Sequence, residues 1–389
     1  MLSMLLALAA IWIALELATH GIFLTPRNLY NLSIQTSVGA ILSCGMVFVI
    51  VARQIDLSVG SLIAFTGVLT AFAQVRWLDG HPGVAWILSI VVGLAIGVGV
   101  GLFQGWWVAY RGIPALVVTL AGFLIYRGAA FMVADGQTIA PLDETYQRLG
   151  GGAAGSLGVT ASWVLGAAAC AWLAWQVWNT RRERGKYTDV PPPVWLDVLK
   201  VVFGVAAILA FVAIMASYPD RTKLDDNGNG PGMGIGIPVL LLILVVIVLS
   251  FLAHRTRFGR YVFAYGGNPE SALLAGINTR FLLVKIFVMM GVLSAVAAVI
   301  TTARLNAGAN SIGQLAELYA ISAAVIGGTS LAGGVGSVPG AVIGALIIQS
   351  LDNGLVILDV GSAPRQIIIG LVLVAAAWFD VVYNKRRNR

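Results

Sequence analysis

Residues 84–109 carry no charged side chain, and this run is one of about twelve apolar stretches that fill most of the chain. A helix needs about 20 residues to cross the hydrocarbon core of a bilayer. Inside that core every backbone N–H and C=O must find a partner within the protein, so long apolar runs fold as spanning helices. The candidate spans are roughly 2–24, 36–52, 58–76, 84–109, 114–134, 157–178, 197–217, 236–253, 281–302, 317–332, 338–357 and 365–383, the shorter ones being open to a broken or re-entrant course. Composition agrees: 59% of residues are hydrophobic and 11% charged, against about 45–50% and about 25% in soluble domains. The prediction is an all-α polytopic membrane protein, one transmembrane domain over residues 1–389 with about 10–12 spanning helices. The first run, Leu2 to Leu24, lacks a basic leader and is too long for a signal-peptide core, so it is read as a retained helix.

The formal charge of +7 does not point to nucleic acid, because the basic residues sit in short loops between apolar runs. With both termini cytoplasmic and the spans alternating, the inner side receives Arg53, Arg111, Arg181, Arg182, Arg184, Lys186, Lys200, Arg255, Arg257, Arg260, Arg280, Lys285, Lys385, Arg386, Arg387 and Arg389. These are sixteen of the 24 Lys and Arg. Such an excess is the positive-inside pattern and supports this orientation. On the other side fall a flexible acidic stretch, Tyr218 to Gly236 with Asp220, Asp225 and Asp226, and a polar segment, Asp135 to Ala153.

Chemistry is sparse. Cys44 and Cys170 lie within apolar runs and His20, His81 and His254 are scattered, so neither a disulfide framework nor a metal ligand set is expected. The glycine-rich run 327–340 lacks the G-x-x-x-x-G-K-[ST] pattern of a phosphate loop, and no such pattern occurs elsewhere. No nucleophile and base form a constellation, which argues against a membrane enzyme. No cofactor is expected on this chain; any ATP and Mg belong to another.

The stretch His254 to Arg280 is polar and basic between two long apolar runs. It encodes a short helix with both ends written in: Asn268 as N-cap, Pro269 at the first position, Glu270 at the positive end of the dipole and Gly276 as the left-handed stop. Two turns are unstable alone in water, so such a helix needs a surface to lie on. Elsewhere Gly93, Gly97, Gly101 and Gly105 recur every four residues, as do Gly336, Gly340 and Gly344. Small residues at that spacing let helix backbones approach closely.

Several stretches carry a family resemblance. Gly266-Gly267-Asn268, Ala272 and Gly276-Ile277-Asn278 resemble the cytoplasmic coupling segment of ABC-importer permeases of the monosaccharide (ribose, xylose, galactose) family, with Ala275 in place of its usual Ser. Gln54-Ile55-Asp56-Leu57-Ser58-Val59-Gly60-Ser61 resembles that family's I-D-L-S-V-G-S. Ile113-Pro114-Ala115, Thr119-Leu120-Ala121-Gly122 and Arg127-Gly128 follow its I-P…T-L-x-G…R-G run. Gly327 to Gly334 and Leu351-Asp352-Asn353-Gly354 match nearly letter for letter. Together they span roughly residues 25 to 383 in the family's order. About 60 further residues, Ala154 to Ser217, read as an added helix pair joined by a basic, proline-rich cytoplasmic loop over 179–196. This pair and the phrase Gly105 to Arg111 are most similar to the xylose-type members.

The resemblance implies a type II ABC importer-like permease, working as a homodimer in the bacterial inner membrane. Each copy would rest on an ABC ATPase subunit through Gly266, Gly267, Asn268, Pro269, Glu270, Ala272, Leu273, Gly276, Ile277 and Asn278 within segment 254–280. A periplasmic or lipid-anchored sugar-binding protein would sit on the other side, and a polar tail would precede the first run. Two departures bear on docking: Tyr319 stands where the family has Asp, and Arg53-Gln54 precede Ile55. Charge inside the bilayer is costly, so each case needs a reason. Asp56 suits an N-cap or the pathway lining; Arg127 suits snorkelling or a carboxylate partner; Glu16 suits a buried pair or a water-facing position. Asp352, Asn353 and Gln349 are the best candidates for a polar element on the pathway; Glu317 suits a cap of its own helix or contact with the binding protein, and Tyr319 such contact. The readings left open are a permease for ribose, galactose, an autoinducer or branched-chain amino acids, and an ion-coupled secondary transporter in which Asp56 and Asp352 would serve as coupling carboxylates.

Overall fold

The computed structural model describes residues 2–78, 80–184, 193–220, 222, 230–372 and 374. Lys186 with the middle of the 179–196 loop, Asp225, Asp226, Lys385, Arg386, Arg387 and Arg389 lie outside the described residues. In chain order come α1 (Leu2–Ala18), α2 (Pro26–Val51), α3 (Val59–Phe72), α4 (Pro82–Arg111), α5 (Ala115–Ala134), the single turn α6 (Glu144–Gln147), α7 (Val159–Arg184), α8 (Val194–Ser217), α9 (Ile237–Arg255), α10 (Arg257–Gly267), α11 (Pro269–Leu274), α12 (Thr279–Leu305), α13 (Ala316–Ile326) and α14 (Val338–Ile357). A further helix covers 362–372, the described part of the last expected span. Among the described residues there is no strand, only isolated bridges between loops.

The boundaries follow local chemistry. Proline occupies the first turn of α2, α4, α9, α11 and α14, where its missing N–H costs nothing. Gly112 ends α4 at φ 69°, the left-handed conformation that glycine adopts without a Cβ clash. Asn278 caps α12 by accepting from the Phe281 N–H at 3.0 Å, and Ser337 caps α14 by accepting from Gly340 at 3.2 Å.

Eight described helices are long and apolar enough to cross a bilayer: α2, α3 with its π-helical extension to Trp77, α4, α5, α8, α9, α12 and α14. Three expected spans are corrected. The first run does not stay helical to Leu24; α1 stops at Ala18. There the Glu16 carboxylate accepts from the Leu24 N–H at 2.8 Å and the Thr19 hydroxyl from the Phe23 N–H at 3.1 Å, winding 19–25 into a turn. The second span begins ten residues before its expected start at 36, at Pro26. Its polar opening is helical because Asn28 and Gln35 find partners on α14: Asn28 donates to the Asn353 side-chain oxygen at 2.9 Å, and Gln349 donates to Gln35 at 3.2 Å. The tenth, expected over 317–332, is only α13, 11 residues. At about 1.5 Å per residue it covers about half of a core about 30 Å thick.

The irregular segment 306–315 leads into α13. Arg127 of α5 donates through one guanidinium nitrogen to the carbonyls of Asn310 and Ile312, the latter at 2.9 Å. Arg127 therefore pairs with backbone rather than with a carboxylate. Non-helical backbone is tolerated at membrane depth when protein groups satisfy it in this way.

The glycine stripes mark the two tightest seams. A Cβ on Gly97 would lie 2.4 Å from the Gly291 carbonyl of α12, and one on Gly101 2.5 Å from the Val288 Cα. On α14, a Cβ on Gly340 would meet the Gly327 carbonyl at 2.1 Å, and one on Gly344 the Ala323 carbonyl at 2.0 Å. Backbone rather than side chain is the neighbour in each case, so the helices touch along their main chains. α7 and α8 pack mainly on each other, and α8 leans on α2, where Ser33 approaches the Met215 sulfur at 3.7 Å.

Candidate functional site

The expected coupling helix forms as α11. Asn268 accepts from the Ser271 N–H at 3.0 Å, Pro269 and Glu270 open the helix, and Gly276 follows its end at φ 80°. Ala272 is buried beneath it, whereas Leu273 and Leu274 project outward, the latter 88% exposed. Arg255, Arg257, Arg260 and Arg280, in the same polar stretch of the chain, are exposed as well.

The base of α11 is fastened to the end of α2. Arg53 donates from Nε to the Gly266 carbonyl and from Nη2 to the Gly267 carbonyl, both at 2.7 Å. Gly266 is seated so closely that a Cβ there would come within 1.8 Å of the Val51 carbonyl. That same carbonyl accepts from the Gly334 N–H at 2.9 Å, which brings in the glycine-rich turn between α13 and α14. Burial pushes the Tyr265 phenol above its ordinary pKa, and the charge of nearby Arg53 draws it back in part. From the sequence Arg53 is one of the inner-side cations and a departure from the family pattern, with no partner assigned. The signal that would have found it is a lone arginine one residue past the end of an apolar run.

The candidate pathway residues separate into three places. Gln349 borders a cavity of about 140 Å³ between α2, α13 and α14, with Gln35, Ser43, Ala316, Tyr319 and Ala345. Water takes about 30 Å³ per molecule in the liquid, so several waters would fill it. Asp352 and Asn353 instead tie helices together. Asp352 meets Arg365 at 3.5 Å, and Asn353 accepts from Asn28. Asp56 lies elsewhere, buried in the turn between α2 and α3. It accepts from the Ser58 N–H at 2.9 Å and the Ser58 hydroxyl at 2.7 Å; Gln104 donates to that hydroxyl at 2.8 Å, and Thr119 donates to the Ile55 carbonyl at 3.2 Å. The N-cap position of α3 belongs to Ser58, so Asp56 shapes the approach to the helix rather than capping it.

Glu317 was expected to face the outer side and Tyr319 with it. The structure corrects both placements. Glu317 is 4% exposed, against Gly60, where a Cβ would come within 2.0 Å of its carboxylate. Tyr319 lines the inner cavity. The reason is the irregular segment 306–315, which Arg127 holds by its 310 and 312 carbonyls and which leaves the start of α13 in the interior.

A second cavity, of about 530 Å³, opens at the far end of the bundle. Tyr30, Asn31, Gln147, Arg148, Gly151 and Arg304 line it. Sequence reading missed it, since its walls come from loops and helix ends far apart in the chain. Helix α2 lines both cavities, with Asn31 at the mouth of one and Gln35, Val38 and Leu42 along the other. Neither cavity brings together a nucleophile and a base, and among the described residues no cluster of His, Cys, Asp and Glu could hold a metal.

Residues 28–377 match the model of a family described as branched-chain amino acid transport system / permease component. The chain is 42% identical over 383 residues to a xylose transport system permease protein of Haemophilus influenzae, covering 98% of this chain and 96% of that one. It is 40% identical to a xylose transport system permease protein of Escherichia coli K12, covering 98% and 92%. A ribose import permease protein of the same organism is 30% identical over 365 residues, covering 94% and 88%. No solved structure matches the chain. With a family model over most of its length, relatives aligned nearly end to end and a bundle of apolar helices, the chain is a multi-pass membrane protein that belongs to this family of transport-system permease components.

Proposed function

We propose that the chain is the translocating subunit of an ATP-driven importer of a monosaccharide, xylose. The observation that carries this reading is the 42% identity to a xylose permease across nearly the whole of both chains. It works as a homodimer in the bacterial inner membrane with both termini cytoplasmic. α11 faces an ABC ATPase subunit that holds ATP and Mg, and a sugar-binding protein docks at the opposite end.

The geometry supports such a role without chemistry on this chain. A pentose is neutral and rich in hydroxyls, so its path needs hydrogen-bonding groups rather than fixed ions. Gln35, Gln349, Ser43 and Tyr319 around the inner cavity supply amides and hydroxyls and no formal charge. The larger cavity at the far end offers a mouth with Tyr30, Asn31 and Arg148. Alternating access follows when closure of the ATPase pair pushes the two α11 helices and shifts the helices that wall the cavities.

The test is ATP hydrolysis in proteoliposomes holding this chain, its ATPase and its binding protein, with xylose, ribose or no sugar. Xylose-loaded binding protein is expected to stimulate hydrolysis, and Glu270→Lys to abolish the stimulation by reversing charge at the exposed start of α11. Stimulation by ribose alone would sink xylose as the substrate. An ATPase that fails to bind or respond under any sugar would sink the importer reading and bring the ion-coupled alternative forward.

A further inference from the structure

We propose that Arg53 is the positioning residue that carries movement of the coupling helix into the pathway helix; this rests on the importer reading above.

Arg53 is the first residue after the C-cap of α2, and its backbone sits at φ 59°, a left-handed conformation uncommon for a residue with a side chain. Its N–H bonds the Ile50 carbonyl at 2.8 Å, closing the last turn of α2. From that fixed root the guanidinium spans two successive carbonyls, Gly266 and Gly267, at 2.7 Å each. Those are the last carbonyls of α10, which have no helical partner of their own and carry the negative end of its dipole. A guanidinium suits them because its planar fork binds two acceptors in one geometry, which an ammonium does not. The next residue, Asn268, is the cap of α11. Arg53 thus joins the last turn of the helix that lines both cavities to the two carbonyls just ahead of the cap of the helix that faces the ATPase.

The seat around this clasp is backbone on backbone. Val51 offers its carbonyl to Gly334, and Gly266 lies against the same carbonyl with no room for a Cβ. The turn at Gly333 and Gly334, at φ 87° and 75°, brings the α13–α14 connection into the knot. α13 and α14 are the other walls of the inner cavity. Compact main-chain contact under a charged clasp passes on displacement, because packed interiors shift as units rather than deform. A second route exists along the chain itself, through Gly276 into α12, which Asn278 caps. The two routes separate by experiment, since Arg53 takes no part in the second.

The measurement uses the complete complex of permease, ATPase and binding protein in proteoliposomes. Arg53→Ala and Arg53→Lys are compared with the wild type. ATPase retention on purification, hydrolysis stimulated by xylose-loaded binding protein, and xylose uptake per ATP are read together. Arg53→Ala is expected to retain the ATPase and to hydrolyse ATP, yet to lose about tenfold in uptake per ATP, the factor that matches about 1.4 kcal/mol of coupling. Arg53→Lys should fall between. Should Arg53→Ala fail to fold, Arg53→Lys decides on the same ratio. Unchanged uptake per ATP in the Arg53 variant would overturn the clasp while leaving the importer intact. So would a parallel loss of ATPase binding and uptake, which marks a merely structural role. A wild-type complex with no stimulated hydrolysis overturns instead the importer reading beneath it.

Discussion

In the most apolar stretch of α2, 83% of residues are buried inside the protein; in that of α8 the share is 11%, although α8 is the more apolar of the two. Apolarity places a helix in the membrane but does not say whether its neighbours are protein or lipid, because lipid tails are as apolar as leucine. The difference lies in the small and polar residues. α2 carries Ser37, Ala40, Ser43 and Gly45 among its buried residues, and Asn28 and Gln35 where amides bond across to α14. α8 shows Val198, Val202, Phe203 and Leu209 to its surroundings. The α7–α8 pair meets with side chains instead: a Cβ on Gly204 would touch the flexible end of Leu173, whereas one on Gly97, Gly101 or Gly105 of α4 would meet the main chain of α12. The inner cavity, walled by α2, α13 and α14, belongs to the close-packed part.

The contrast breaks first at the α4–α12 seam. Gly97→Val is expected to destabilise by at least about 3 kcal/mol, since the added carbons press on the Gly291 backbone and the helices must part. Gly99→Val, two residues along with no atom within 4 Å of an added Cβ, should change stability by less than about 0.5 kcal/mol. Unfolding of both in detergent by temperature checks the pair, and equal effects would show that α4 has no privileged face. Next comes Arg127→Met. It removes the charged donor of two carbonyls in the irregular segment 306–315 and should cost about 2–3 kcal/mol, with uptake lost because the start of α13 no longer holds its place. Arg127→Lys should recover part of this.

Smaller still is Asn268→Ala. Loss of the α11 cap costs about 1 kcal/mol, confined to a two-turn helix. Overall stability should stay as it is, while ATP hydrolysis stimulated by loaded binding protein falls roughly fivefold as α11 frays. A matching fall in the thermal midpoint would mean that α11 belongs to the core rather than to its rim.

The spans, the glycine seams and the capped α11 could be read from the chain because each rests on local chemistry: run length, four-residue spacing, an Asn-Pro start and a Gly stop. The inner cavity was half legible. Gln349 stood out as a polar residue in an apolar run, but its partner Gln35 lay in a stretch polar enough to look like loop. Glu317 and Tyr319 were misplaced because sequence order puts them just after an outer loop, and only the pairing of Arg127 with the 310 and 312 carbonyls draws that loop inward. Arg53 could not be weighed at all from order alone, since its partners lie more than 200 positions away.

Asp197→Asn bears on the other side of the contrast and is expected to do least. Asp197 opens α8 between Arg181 of α7, at 2.9 Å, and Lys200, at 3.3 Å. These cations stand at the end of the pair nearest the basic loops, where water and anionic lipid headgroups can take over a carboxylate's place. Among the described residues, none of the three hydrogen-bonds to α2 or α11 or lines either of the two cavities above. Xylose uptake and ATP hydrolysis should therefore match the wild type, with the thermal midpoint little moved. A pronounced loss of uptake with folding intact would show that the α7–α8 pair works on α2 through α8, where Met215 meets Ser33. The line between close-packed pathway and lipid-facing margin would then have to be redrawn to include it.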